Sequence, residues 1–141
     1  MIETALRTVL LADAAVAALV GARVYTGVMP QRPALPLITL KKVDKLSDLT
    51  LEDAVGPNTL RVQVDCWAQD GTGTAGVDNV RALAAAVNGS DDQSSAGPLH
   101  GYHGTAGGQR INLVRLLVER STEYEPDTKL YRVSADYAVH L

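Results

Sequence analysis

The sequence contains no Phe and a single Trp, so its core has to be built from Val, Leu, Ile and Ala. A single cysteine, Cys66, excludes an intrachain disulfide and a cysteine-clustered metal site. Neither charge dominates. The net charge of -3 provides no basic face for wrapping DNA, though it does not forbid DNA passing nearby. Long apolar runs are missing as well. The N-terminal one is broken by Asp13 and preceded by only one basic residue, Arg7. Neither a signal peptide nor a membrane span is expected. What remains is 141 residues, 46% hydrophobic and 21% charged. This fits one globular domain, 1-141, able to bury roughly two thirds of the surface of its unfolded chain.

Periodicity divides the chain. Ile2, Leu6, Val9, Leu10, Val16, Ala17 and Val20 recur at helical spacing, with Gly21 at a C-cap position. The reading is one amphipathic helix, or two short ones with Asp13 capping the second. Arg23-Val24-Tyr25 suggests a very short strand. Pro30, Pro33 and Pro36 enforce an extended link. Leu37 to Asp44 reads as a strand, which Asp48 to Asp53 would continue as a ribbon up to a turn at Gly56-Pro57-Asn58. Leu60, Val62, Val64 and Cys66 alternate with Arg61, Gln63, Asp65 and Trp67, as a half-buried strand does. Val77, Val80, Leu83, Ala84 and Val87 return to helical spacing in an Ala-rich stretch ended by Gly89. Residues 89-110 read as a long flexible loop. Ile111 to Arg120 reads as a strand with two apolar faces: Ile111, Leu113 and Leu117 on one, Val114, Leu116 and Val118 on the other. Pro126 suits a type I turn. In the last strand Tyr131, Val133, Ala135, Tyr137, Val139 and Leu141 share a face opposite Arg132, Ser134, Asp136 and His140. The fold class is α+β: an antiparallel-rich sheet of about four to five strands from two hairpins, with two main helices on one face. The two-faced strand calls for cover on its second side, from the N-terminal helix, the long loop or another subunit.

No catalytic constellation survives its context. Gly71-Thr72-Gly73-Thr74-Ala75-Gly76 matches the dinucleotide-binding G-x-G-x-x-G. The strand before it alternates with polar residues, however, where a buried parallel strand would be continuously apolar. A turn with Thr74 capping the next helix is the simpler reading. Gly104 to Gly108 lacks the Lys of a nucleotide P-loop. His100 and His103 lack the further ligands zinc needs. Cys66 lies on the apolar side of its strand as core. Asp65 and Asp136 suggest an acid pair across strands, but more simply a polar face paired with Arg61 and Arg132. Lys41, Lys42 and Lys45 read as a charged edge strand that resists aggregation. We therefore expect no enzyme, no cofactor, no metal and no membrane partner.

Several segments, in order, resemble the tail-completion (tail-terminator) proteins of tailed bacteriophages. They are Leu10-Leu11-Ala12-Asp13 with Ala18 to Tyr25, Pro33 to Ile38, Arg61 to Ala68, Leu99 to Tyr102, and Tyr124-Glu125-Pro126 with Leu130-Tyr131-Arg132 and Asp136-Tyr137. Gly89 to Pro98 departs from the pattern as an extended loop. The resemblance implies a structural protein of the virion neck, assembled in the host cytoplasm. It implies a ring, commonly a hexamer, that caps the tail tube, ends its polymerisation and offers a surface for head-tail joining. Partners would be further copies of the chain, the tail tube protein and a head-completion or connector protein, with DNA passing through the lumen without specific binding. Trp67, Tyr102 and Tyr124 are the candidate subunit or partner contacts, because aromatics are enriched in interface cores. Two other readings are another neck component (a connector or stopper) and a small ligand-binding α+β domain.

Overall fold

The computed structural model describes residues 1–31, 33–47, 58–69, 75–92 and 94–141. The expected ribbon at Asp48 to Asp53, the turn at Gly56-Pro57 and the Gly71 to Thr74 loop lie outside these residues. Two short helices open the chain, α1 (Ile2–Ala12) and α2 (Ala14–Val20). They are separate because Asp13 is extended (φ -82°, ψ 124°) and its carboxylate accepts the Val16 N–H at 3.1 Å. That bond satisfies one of the donors a helix start leaves orphaned. Gly21 (φ +60°) ends α2. Then follow β1 (Val24–Thr26), β2 (Leu37–Ser47), β3 (Asn58–Gln69) and α3 (Ala75–Asn88). Next come β4 (Gly104–Ala106), β5 (Gln109–Ile111), β6 (Leu113–Glu119), β7 (Glu123–Glu125) and β8 (Leu130–His140).

Six of these strands form one sheet in the order β1-β2-β3-β8-β6, with β7 also on β8. All pairs are antiparallel except β1 with β2. The class is α+β, as expected, but the sheet is larger than four to five strands. β1 and β7 are three residues each, too short to show an alternation. The expected two main helices become three because Asp13 divides the first.

The alternating residues of β3 and β8 behave as their pattern requires. Leu60, Val62, Val64 and Cys66 join Val133, Ala135, Tyr137 and Val139 in one core with Leu6, Leu10, Val16, Val80, Leu83 and Val87 of the helices. All three helices therefore cover the same face. Burying side chains of this size contributes about 1.5–3 kcal/mol each. Tyr137 is fully buried and donates its hydroxyl to Asn88 Oδ1 at 2.5 Å.

Three expectations change. The second half of 89-110 is no loop, since β4 and β5 form a hairpin turned by Gly107 (φ +54°) and Gly108 (φ +78°). A Gly-Gly pair supplies the positive φ such a turn needs. The span from Ile111 to Arg120 is not one continuous strand. It bends at Asn112 and carries a bulge between Leu116 and Val118. Each irregularity shifts the side-chain phase by one, so Ile111 and Val114 share the core while Leu113, Leu117 and Val118 are 40–43% exposed. Finally, the turn at Pro126 is one residue wider than a type I turn, closed by Lys129 N–H to Glu125 O at 2.8 Å with Lys129 at φ 56°.

Candidate assembly surface

The sheet face turned away from the helices carries the polar half of each alternation. Residues directly opposite on neighbouring strands are close enough to pair. Thr39, Asp65 and Ser134 form one row, and Lys41, Gln63, Asp136 and Val118 the next. Asp44, Arg61, Ala138 and Arg115 follow, then Leu46, Thr59, His140 and Leu113.

Asp136 is the centre of this face and only 2% exposed. Arg120 grips it with two bonds (Nη1 to Oδ1 at 3.0 Å, Nη2 to Oδ2 at 2.8 Å), and Arg61 Nη2 donates to Oδ2 at 2.5 Å. These bonds, Arg120's above all, hold the carboxyl below the usual range against the opposing effect of burial. Reciprocally, Asp136 raises Arg120. Asp65 does not pair with Asp136. It accepts from Ser134 Oγ at 2.5 Å and from Gln63 Nε2 at 2.9 Å. Arg132 turns to Glu123 at 2.6 Å, which raises its pKa, and lies 5.4 Å over the Trp67 ring. Arg61 therefore pairs as the sequence suggested, whereas Arg132 does not. Arg120, one residue past β6, is the partner that sequence reasoning missed. Only the bulge and the β6–β8 register bring it to Asp136.

On this face Lys41, Arg61, Arg115, Arg120 and Arg132 stand with Asp44, Asp65, Asp136, Glu123 and Glu125, five charges of each sign. The face is neutral, with Arg61, Arg120 and Arg132 paired to Asp136, Glu123 and Glu125. A phosphate-binding face would carry excess cations.

The three candidate aromatics are not brought together. Trp67 is 8% exposed, packed with Leu37 and Leu130, and donates its indole N–H to Thr39 Oγ1 at 3.0 Å. Tyr102 is half-buried against the main core. Tyr124 is 43% exposed and lies 4.8 Å from the Tyr131 ring. His100 accepts the Leu116 N–H at its Nδ1 (2.9 Å), and His103 Nδ1 donates to Gly101 O at 3.3 Å. His100 thus ties its loop to β6, and His103 serves its own loop. Among the described residues no three of His, Cys, Asp and Glu converge to hold a metal ion. Cys66 is fully buried, and burial pushes its thiol up. Among the described residues no helix is long and apolar enough to cross a membrane.

A family profile described as Tail completion protein gp17 matches residues 4–140. Among solved structures, the chain is similar in fold to one from "Virion of native gene transfer agent (GTA) particle", with a TM-score of 0.71 and 22% identity. The match covers 98% of this chain and 92% of that one. None of the curated proteins matches.

Proposed function

The chain belongs to the tail completion protein gp17 family, and on that premise we propose that its copies close into a ring, a hexamer, on the head-proximal end of the tail tube. It is a structural protein of the tail region of a phage-like virion. The ring ends tube polymerisation and gives the head-side neck protein a surface to dock on. It acts by binding rather than by catalysis, and DNA passes through its lumen without specific contacts.

The observation that carries the assembly reading is the outer edge of β6. Leu113, Leu117 and Val118 stand exposed there within the single chain, and large aliphatic side chains gathered at a sheet edge mark a contact to be covered. Tyr124 adds an exposed aromatic nearby on β7, and aromatics are enriched in interface cores. Trp67 and Tyr102 are candidate contacts too, each through the part of its ring that its own packing leaves exposed.

Mass measurement of the protein alone and with its own tail tubes tests the proposal. A ring on the tubes is expected. A strict monomer that never associates with tubes would refute it. Particles assembled without the protein should carry tubes that overrun their usual length. Tubes of normal length, with binding to the portal-side adaptor first, would make the protein a connector instead.

A further inference from the structure

The two outer edges of the main sheet carry opposite charge on the same side, although the β6 edge is covered at Val114, which bonds Gly101 and Tyr102, and at Leu116, whose N–H bonds His100. At one edge, β1 covers β2 only along Ile38 to Leu40. Among the described residues, the rest of β2 has a strand partner on its β3 side alone. Lys42 pairs with Val62 and Lys45 with Leu60. Both partners point into the core, so both lysines stand on the helix side, exposed. At the other edge Glu119 pairs with Ala135, also a core residue, which places Glu119 on the helix side too.

Glu119 and Asp91 line a groove of about 580 Å³ between the end of α3, residues 89–91 and 95–97, and β6. It is continuous, through the same two acids, with a second hollow of about 450 Å³. Partial burial pushes the Glu119 carboxyl up, and the Asp91 charge adds to this against the pull of the Asn88 amide. Asn88 lines the groove and is 7% exposed, and its amide is directed at the Glu119 carboxyl without making a hydrogen bond of full geometry. Among the described residues no ion pair reaches Asp91 or Glu119. Arg81 and Arg120 line the second hollow with the same two acids, but Arg120 is held by Asp136 and Arg81 bonds the Thr122 hydroxyl, and neither makes an ion pair with them. The first groove is thus an acidic socket lined, among the described residues, by no Lys or Arg.

We propose that this socket receives Lys42 and Lys45 from the β2 edge of a second copy of the chain, joining subunits edge to edge. The proposal rests on the ring reading above and names its contact. Socket and lysines lie at opposite edges of one sheet, so they cannot meet within a chain. They form a heterologous contact, which closes into a ring when its rotation divides a full turn. Through Ala135 and Val64, Glu119 shares a row with Leu40, so Lys42 stands two rows, or roughly 7 Å, and Lys45 four rows, or roughly 13 Å, further along the edge. A docked ammonium would pair with the Glu119 and Asp91 carboxylates and favour their charged forms. Apolar side chains accompany the charges at both edges, Val43 and Leu46 on β2, Leu117 and Val118 on β6.

Charge reversal in the full-length protein tests this, read by sedimentation and native mass with and without tail tubes. Lys42→Glu with Lys45→Glu should raise the concentration needed for ring formation at least tenfold. Asp91→Lys with Glu119→Lys should do the same. All four changes in one chain, or a 1:1 mixture of the two variants, should restore rings, because the opposed charges again complement each other. Unfolding curves matching wild type verify that each variant is folded, and Lys42→Glu alone, at an exposed site, serves if a double variant is not. Rings unaffected by either reversal, or lost without recovery in the mixture, would overturn this contact while leaving the ring standing. A wild-type chain that never forms rings would overturn the ring reading and this contact with it.

Discussion

Asp136 is a carboxylate removed from water whose favourable state depends on two arginines, and Asp136→Asn isolates that dependence. The amide keeps the shape and one acceptor, but its NH2 faces guanidinium donors, so the two-pronged grip of Arg120 is broken. A charge-assisted bond contributes about 1.5–3 kcal/mol. Three are affected, but Arg61 and Arg120 have side chains 44% and 41% exposed and recover hydration when released. We therefore expect a loss of about 2 kcal/mol at pH 7, or roughly 6 °C in Tm for a chain of this size. The pH dependence makes the test specific. The folded pKa of Asp136 lies below its ordinary value of 3.8. Its contribution is complete above the unfolded pKa and disappears as pH falls through the folded one. Urea unfolding at one protein concentration should show the gap between variant and wild type at pH 7, narrowing below about pH 4. An equal gap at pH 7 and pH 2.5, or none at pH 7, would refute the reasoning. Arg61→Ala with Arg120→Ala should cost more than the sum of the single changes, because only the pair leaves the carboxylate unpaired, at about 3–5 kcal/mol.

Three further outcomes follow from packing. Gly97→Ala should destabilise strongly, by about 3 kcal/mol or more in urea unfolding, because its Cβ would stand 1.9 Å from the Val87 carbonyl oxygen; near-neutral behaviour would show that Gly97 does not seat on the end of α3. Tyr137→Phe should cost about 1–3 kcal/mol in thermal unfolding by leaving Asn88 Oδ1 without its donor. Cys66 should resist a thiol reagent in the native protein and react after urea unfolding, since it is fully buried with its pKa raised; rapid native labelling would contradict its place in the core.

The long strands and helices were legible because their residues repeat long enough for a period to show. β3 and β8 alternate over 12 and 11 residues, and α3 runs for 14. Asp13 announced its cap because that bond is local, between residues three apart. The exclusions of disulfide and cysteine-clustered metal site needed only the count of one cysteine, and the family was legible in the order of its segments. Tertiary structure alone decided the rest. β7 exists through its neighbour β8, being too short to carry a pattern, whereas β1 was legible to within one residue in Arg23-Val24-Tyr25. The continuous strand expected from Ile111 is interrupted because a bend and a bulge, invisible in composition, re-phase its side chains toward a single core. That shift delivers Arg120 to Asp136 and leaves Leu117 and Val118 facing outward. The missing Phe and single Trp set the material of the core, but register decided which polar groups lie together over it. Register is a relation between strands, 75 residues apart in the pairing of Arg61 with Asp136, and no local window of the chain contains it.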